Sequence, residues 1–147
     1  MLINVAIAAV MMVVTTAIHA GAMMIALHHI GSHEGRSGMQ LRRMRILLVS
    51  GIVLLMFRAS LLEVLVWAAT FLGLNALEGF ERALYFSMVT FTTLGYGEIV
   101  LDEHWRLLAS FEAANGIIMF GWTTAIVIAV VQRVYFSPGT DNTSTSG

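Results

Sequence analysis

The sequence predicts an all-α membrane protein with three membrane-spanning helices and one short helix that enters the membrane without crossing it. Three apolar stretches, residues 2–27, 46–73 and 107–131, are each long enough to cross about 30 Å of hydrocarbon at about 1.5 Å per helical residue. Hydrophobic residues make up 58% of the chain and charged residues only 12%, whereas a soluble domain carries about 25% charged residues. We therefore expect the 147 residues to form a single membrane-embedded domain.

The first element is an additional N-terminal helix, predicted over residues 1–30. Its apolar run contains no ionisable side chain before His28 except His19. It also lacks the regularly spaced arginines that mark a voltage-sensing helix. The sequence therefore predicts a plain membrane-spanning helix, which either packs against a later span or adds a layer that faces lipid.

A polar segment, residues 31–45, follows the first apolar stretch. Its glycines predict a loop, and its arginines mark the cytoplasmic side of the membrane by the positive-inside rule. The arginines are Arg36, Arg42, Arg43 and Arg45. Residues 40–45 are predicted to begin the next helix.

A group of titratable residues lies around the start of this loop: His28, His29, His33 and Glu34. His29 and His33 have the i, i+4 spacing that suits zinc on a helix. However, Gly31 and Ser32 interrupt the helix between them. A metal site, a pH-sensing site and ordinary interfacial residues are the alternatives here, and our prediction includes no metal site at this position.

The second apolar stretch, residues 46–73, contains two charged residues, Arg58 and Glu63. Charges at membrane depth are costly unless they are paired or face protein or water. The two residues are about 140° apart around a helix, so each needs a partner on another helix. Counting from the ends of the spans puts Glu63 near the level of Asn115 and Arg58 near His19. The alternatives are a structural polar contact between helices and a gating or proton-sensing role.

The segment between the second and third apolar stretches has a short helix and an unusual polar sequence. Residues 79–92 predict a re-entrant helix, with Glu81 in the first turn, where the helix dipole favours a carboxylate. Threonines, glycines and a glutamate follow at residues 92–98. Backbone outside a helix is costly at membrane depth unless it is buried in protein or lines water. Gly95 and Gly97 allow backbone angles that turn successive carbonyl oxygens toward one axis.

The sequence Thr93-Leu94-Gly95-Tyr96-Gly97-Glu98 resembles the selectivity filter of the tetrameric potassium channels. The resemblance implies that Thr93 forms the innermost ion site through its hydroxyl and carbonyl oxygens. The filter would then consist of Thr93, Leu94, Gly95, Tyr96 and Gly97. The resemblance also implies K+ as the permeant ion and no organic cofactor. It implies a homotetramer around one pore as well, because one such motif cannot close a ring alone. The alternative is an ordinary glycine turn between two membrane helices.

The resemblance is incomplete at positions that support the filter. Leu94 replaces the commoner valine and Glu98 the commoner aspartate of the family. Phe86 lies where many members carry a tryptophan that braces the filter tyrosine, and phenylalanine has no hydrogen-bond donor. Val89 lies where some bacterial members carry a bracing glutamate. We therefore predict a filter that inactivates easily or is more plastic.

The third apolar stretch resembles the inner helix of small bacterial potassium channels, most closely over residues 116–125. Gly116 lies at the position of the family's hinge glycine, and glycine inside a helix is less stable than alanine by about 1 kcal/mol. The alternative is that Gly116 and Gly121 are small residues that allow close helix packing. The resemblance implies that one helix face lines the pore cavity and gate: Gly116, Ile117, Phe120, Thr124 and Ile128.

The loop charges and the resemblance predict the same topology. With the 31–45 loop in the cytoplasm, the three spans put the N-terminus outside, the C-terminus inside and the filter at the outer side. Residues 74–106 carry five acidic residues against two arginines, which predicts an acidic outer mouth with Glu98 nearest the axis. Residues 46–136 would form the pore domain, and the polar residues 137–147 a disordered tail.

These patterns predict a potassium-selective channel that conducts K+ passively in the plasma membrane of a bacterium. A less selective monovalent cation channel and a non-conducting membrane subunit with a pore-like fold are the alternatives. An enzyme is not expected, because the chain has no cysteine, no Gly-x-Ser-x-Gly motif and no phosphate-binding loop. A net charge of −1 implies no nucleic-acid partner. The expected partners are copies of the chain, membrane lipids and a separate regulatory partner.

Overall fold

The computed structural model describes residues 1–31 and 39–136, and it describes side chains for residues 1–28 and 46–133. Within these ranges all regular secondary structure is helical, and there is no β-strand. The four helices are α1 (Leu2–Gly31), α2 (Met39–Gly73), α3 (Phe80–Phe91) and α4 (Arg106–Phe136). Three stretches are long and apolar enough to cross a membrane: Leu2–His28, Ile46–Gly73 and Arg106–Arg133. The predicted all-α fold with three spans is confirmed.

The helix ends lie close to the predicted ones. α2 begins at Met39, one residue before the range 40–45 predicted to begin this helix. α3 lies within the predicted 79–92 range. Two predictions lie outside the described residues. One is the alternative metal site, because the side chains of His29, His33 and Glu34 are not described; the other is the tail at residues 137–147.

α1 buries one narrow stripe of residues against α2 and α4 and leaves its other sides exposed. The buried positions recur every three or four residues, which is the spacing of one helix face. They are Asn4, Ala8, Met11, Thr15, His19, Ala22 and Ala26. The exposed sides carry Val10, Val13 and Met24. Because α1 is apolar all round, its small and polar residues determine which side packs against other helices.

A buried histidine joins α1 to both other membrane-spanning helices. Nδ1 of His19 lies 2.9 Å from Oε1 of Glu63 on α2, and both side chains are fully buried. The other ring nitrogen, Nε2, lies 3.1 Å from Oγ1 of Thr123 on α4. The His19 side chain therefore connects three helices within the apolar interior.

Two further hydrogen bonds connect α1 to α4 and its preceding turn. Nδ2 of Asn115 donates to Oγ1 of Thr15 at 2.9 Å, and both residues are fully buried. Nearer the N-terminus, the Asn4 amide donates to the backbone carbonyl of His104. α1 is thus attached by side-chain polar contacts at several levels along its length.

The predicted partner of Glu63 on another helix is confirmed, because Oε1 of Glu63 contacts His19 of α1. Asn115 contacts Thr15, which lies one helical turn before His19 on α1. A count from the span ends shifts by about 1.5 Å for every residue of error, so it does not determine which side chains meet. The predicted levels, Glu63 near Asn115 and Arg58 near His19, stay predictions.

Arg58 contrasts with Glu63, because its side chain is exposed in the single chain. It makes no hydrogen bond or ion pair with any residue whose side chain is described. An arginine within a membrane span requires a polar partner or access to water. The described residues supply no such polar partner for Arg58.

α3 is a short helix packed between α2 and α4. Its 12 residues extend about 18 Å, which is too short to cross a membrane. Ala83 and Phe91 are fully buried, and the ring of Phe86 packs edge to face against Phe71 of α2 at a centroid distance of 5.3 Å. The packing holds the end of α3 at a fixed position, and the unusual polar sequence begins there.

Candidate functional site

The chain leaves the helical conformation at the end of α3 and continues as an exposed, non-helical segment over residues 92–98. The backbone angle φ is positive at Thr93 (60°), Gly95 (53°) and Gly97 (87°), but not at the two residues between them. The left-handed conformation therefore recurs at every second residue. Glycine adopts this conformation freely, whereas at Thr93 it is strained.

This alternation affects the direction of the backbone carbonyl groups of residues 93–97. In an extended strand successive carbonyl oxygens point to opposite sides, whereas a left-handed residue at every second position allows them to turn to the same side. The N–H groups of Leu94 and Gly95 donate to the Val89 carbonyl of α3 at 2.9 and 3.3 Å. No described group donates a hydrogen bond to a carbonyl oxygen of residues 93–97. Such free carbonyl oxygens are the ligands that replace water around an alkali cation.

α4 packs directly against the end of α3 at Gly116. A Cβ atom at this position would lie 1.9 Å from the carbonyl oxygen of Phe91, the last residue of α3. Four residues later, the ring of Phe120 meets the ring of Phe91 edge to face at 5.7 Å. In contrast, a Cβ at Gly121 would have nothing within 4 Å in the single chain. The structure therefore supports the close-packing alternative for Gly116, and a hinge there stays a prediction.

A family model described as an ion channel matches residues 46–133, which is more than half of the chain. The chain belongs to this ion channel family. The match covers α3, residues 93–97 and most of α2 and α4, whereas α1 precedes it. The predicted relationship to small pore-loop channels is thus confirmed at the level of the family. Comparisons with curated proteins and with solved structures gave no match.

The cavity residues predicted for the channel lie on one open side of α4. Four of the five are exposed in the single chain: Ile117, Phe120, Thr124 and Ile128. Gly116 is buried against α3 instead. The opposite side of α4 packs inside the chain through Glu112, Asn115 and Met119, all at most 1% exposed. The exposed side is therefore available to other copies of the chain or to water, and its role as a cavity lining stays a prediction.

A small cavity of about 100 Å³ separates α3 from the segment that follows it. Phe86, Val89 and Thr90 line it on the helix side, and Gly95 and Gly97 on the other side. The phenylalanine and valine side chains present only carbon atoms there, so neither can brace the segment through a side-chain hydrogen bond. The backbone carbonyl of Val89 supports the segment instead, near its start at Leu94 and Gly95.

The end of the segment that is farther along the chain from α3 is held by a hydrogen bond that the sequence analysis missed. The hydroxyl of Tyr85 on α3 donates to Oε1 of Glu98, directly after the last left-handed glycine. The hydrogen bond to the Glu98 carboxylate is the main cause that raises the pKa of Tyr85 above its ordinary value, and the negative charge of Glu98 adds to it. The only sequence feature that could have indicated this hydrogen bond was the position of Tyr85, a residue with a hydroxyl group, beside Phe86 on the predicted helix.

The acidic residues predicted for the outer mouth are exposed: Glu78, Glu81, Glu98, Asp102 and Glu103. The two arginines of this region, Arg82 and Arg106, are exposed as well. Among the residues that the structure describes, no three histidine, aspartate or glutamate side chains come together as a metal site. The negative charge is thus distributed over the first turn of α3 and the loops on either side of this helix, and its distance from a pore axis stays a prediction.

We predict that Gly116→Ala destabilises the channel and that Gly121→Ala does not. The added methyl group at position 116 must displace the backbone of Phe91, and overpacking of this kind costs about 1–3 kcal/mol. At position 121 the space is open, and alanine favours the helix by about 1 kcal/mol. Thermal unfolding of the purified variants in detergent measures the difference. Equal melting temperatures would contradict the close contact between α3 and α4.

We predict that Tyr85 titrates above the ordinary tyrosine range and that Glu98→Gln lowers its pKa toward that range. Because the pKa is raised in the folded channel, the hydrogen bond to Glu98 is present at neutral pH. Its contribution to stability is lost only as the pH rises above about 10. Ultraviolet absorbance of tyrosinate measures the titration, and the difference between wild type and Tyr85→Phe isolates this residue. A Tyr85 signal that is the same in wild type and Glu98→Gln would contradict the contact.

Proposed function

We propose that the channel conducts K+ passively and selectively through residues 93–97, which form one quarter of a filter in a homotetramer. The observation that carries this proposal is the left-handed backbone at every second residue of a Thr-Leu-Gly-Tyr-Gly sequence. The carbonyl oxygens of this segment accept no hydrogen bond from the described chain. A ring of such oxygens, repeated at successive levels, can replace the hydration shell of a potassium ion.

The position of the segment after α3 adds a second favourable term for a cation. The carbonyl end of a helix carries a partial negative charge that stabilises a nearby cation. α3 ends at Phe91, immediately before the segment. The helix end therefore favours a cation at the inner end of the filter, near Thr93, where the hydroxyl and carbonyl oxygens would form the innermost site.

Assembly with other copies explains the surfaces that one chain leaves open. Leu94 is 55% and Tyr96 68% exposed, although both are large apolar or aromatic residues at membrane depth. An open groove of about 670 Å³ runs along α3 beside Leu84, Tyr85 and Met88. Closed rings of identical subunits bury the same surfaces on every copy. One chain provides one row of carbonyl oxygens, so a ring of ligands needs several chains, and the family resemblance implies four.

We also propose an orientation in the membrane. The arginines of residues 36–45 favour the cytoplasm, which puts α3 and the filter at the outer face of a bacterial plasma membrane. The exposed carboxylates on both sides of α3 would then raise the local concentration of cations near the entrance. At physiological salt the effect extends only about 8 Å, so Glu98 is the carboxylate that matters most.

A less selective monovalent cation channel is the second candidate. It is favoured by the apolar wall that Phe86 and Val89 form behind Gly95 and Gly97. Without side-chain hydrogen bonds at this wall, the carbonyl oxygens are held mainly from the two ends of the segment, by Val89 and by Tyr85. A filter that adjusts its width discriminates less between potassium and sodium.

Ion flux into liposomes that contain the purified channel separates these candidates. We predict K+ flux that barium blocks, and Na+ flux no greater than in empty liposomes. Gly95→Ala should abolish the preference for K+, because a side chain is strained at a φ of +53°. Gly51→Ala is the matched control, since its added methyl group meets no atom within 4 Å and its backbone angle is ordinary. Equal K+ and Na+ flux would favour the second candidate, and flux absent for both ions would contradict channel activity.

A further inference from the structure

A buried glutamate on α4 has no role in the filter or in the predicted cavity. Glu112 is fully buried, and it lies one helical turn before Gly116. Its Oε1 atom contacts Oγ of Ser87, a fully buried residue on α3. A carboxyl group inside a membrane span is costly, so its presence at a helix contact requires an explanation.

Ser87 also contacts the third helix of this interface. Its Oγ lies 2.9 Å from the backbone carbonyl oxygen of Val64 on α2. A serine hydroxyl has a single hydrogen, and a carbonyl oxygen can only accept one. If Ser87 donates to Val64, the hydrogen between Ser87 and Glu112 has to come from Glu112. The geometry is satisfied at both contacts only by a protonated carboxyl group.

The surroundings of Glu112 also favour the neutral acid. Its other oxygen, Oε2, is buried without a hydrogen-bond partner. A carboxylate in this place would be a buried charge with one hydrogen bond, whereas a neutral acid leaves one weak acceptor unpaired. The buried titratable residues of α1 and α2, His19 and Glu63, contact each other. The charged residues of α3, Glu81 and Arg82, are exposed and face away from this interior.

The contact lies in register with the glycine contact next to it. Ser87 and Phe91 are one turn apart on α3, and Glu112 and Gly116 are one turn apart on α4. Ser87 meets Glu112 through a hydrogen bond, and Phe91 meets Gly116 through direct backbone packing. Two matched contacts on successive turns fix how far α3 can slide along α4, and hence the depth at which residues 93–97 begin.

We propose that Glu112 is a protonated positioning residue, whose hydrogen links α4 to Ser87 of α3 and, through the serine hydroxyl, to Val64 of α2. This chain of two hydrogen bonds holds the short helix between its neighbours and so positions the segment after it. The proposal rests on membership of the ion channel family and on the contacts above. It is independent of which ion the filter selects.

Infrared difference spectroscopy of the purified channel in detergent tests the protonation state. The carbonyl stretch of a neutral carboxylic acid is separate from the stretches of a carboxylate. We expect the difference between wild type and Glu112→Gln to contain the acid band at neutral pH.

Ser87→Ala should keep the band and shift it to higher frequency, because the acid loses its acceptor. Glu63→Gln, at the other buried carboxyl group, is the matched control and should leave the Glu112 band in place. Carboxylate bands in the Glu112→Gln difference would overturn the proposal.

Rescue by the conservative variant tests the positioning role. Glutamine keeps an N–H donor toward Ser87, so Glu112→Gln should retain cation flux in liposomes within about threefold of wild type. Glu112→Leu has a similar volume but no donor, and it should lower the flux by about tenfold or more, which corresponds to about 1.4 kcal/mol. If Glu112→Leu fails to fold, Ser87→Ala replaces it, since it removes the same link from α3. Equal flux in the glutamine variant and the variant without the link would overturn the positioning role. The spectra are obtained without ion flux, so they stand even if the wild-type channel shows no potassium selectivity.

Discussion

The carbonyl oxygens of residues 93–97 lack hydrogen-bond donors in the described chain, and in the proposed channel, where this segment lies within the membrane, this places a strong constraint on the structure. Backbone outside a helix is tolerated at that depth only when it is buried in protein or lines a water-filled path. A 12-residue helix, α3, carries the segment to its position. The aromatic and hydrogen-bonded contacts with α2 and α4 hold α3 there, since a helix of this length is not held by the membrane itself.

The contacts that hold α3 and α1 are mostly polar or involve small residues, for a common physical reason. Lipid tails are as apolar as leucine, so hydrophobic burial does not distinguish one side of a membrane helix from another. Small residues allow backbones to approach, as Gly116 does at Phe91. Buried polar side chains find partners on neighbouring helices, as His19 does with Glu63. α1 lies outside the region that matches the family, and its histidine brings a titratable group to the contact between all three spans.

The helices and the non-helical segment after α3 could be predicted from the sequence because they depend on local patterns. Apolar runs of sufficient length predict spans, and glycines two residues apart predict an unusual backbone. The contact between His19 and Glu63 could not be predicted, because residue counts do not determine which turns of neighbouring helices meet. The hydrogen bond between Tyr85 and Glu98 depends on how the chain folds back after α3. Glu112 was overlooked, although a glutamate inside an apolar span was itself a signal of a buried polar contact.

The central claim is that residues 93–97 of several chains surround one axis and bind K+ through their carbonyl oxygens. Electron cryomicroscopy of the full-length channel in lipid nanodiscs tests this most directly, with one sample in potassium and one in sodium. The account predicts four chains, four copies of the segment around a common axis, and ion density between successive carbonyl rings that changes when sodium replaces potassium. Chains assembled with this segment turned toward lipid or toward the protein interior, without density on the axis, would contradict it.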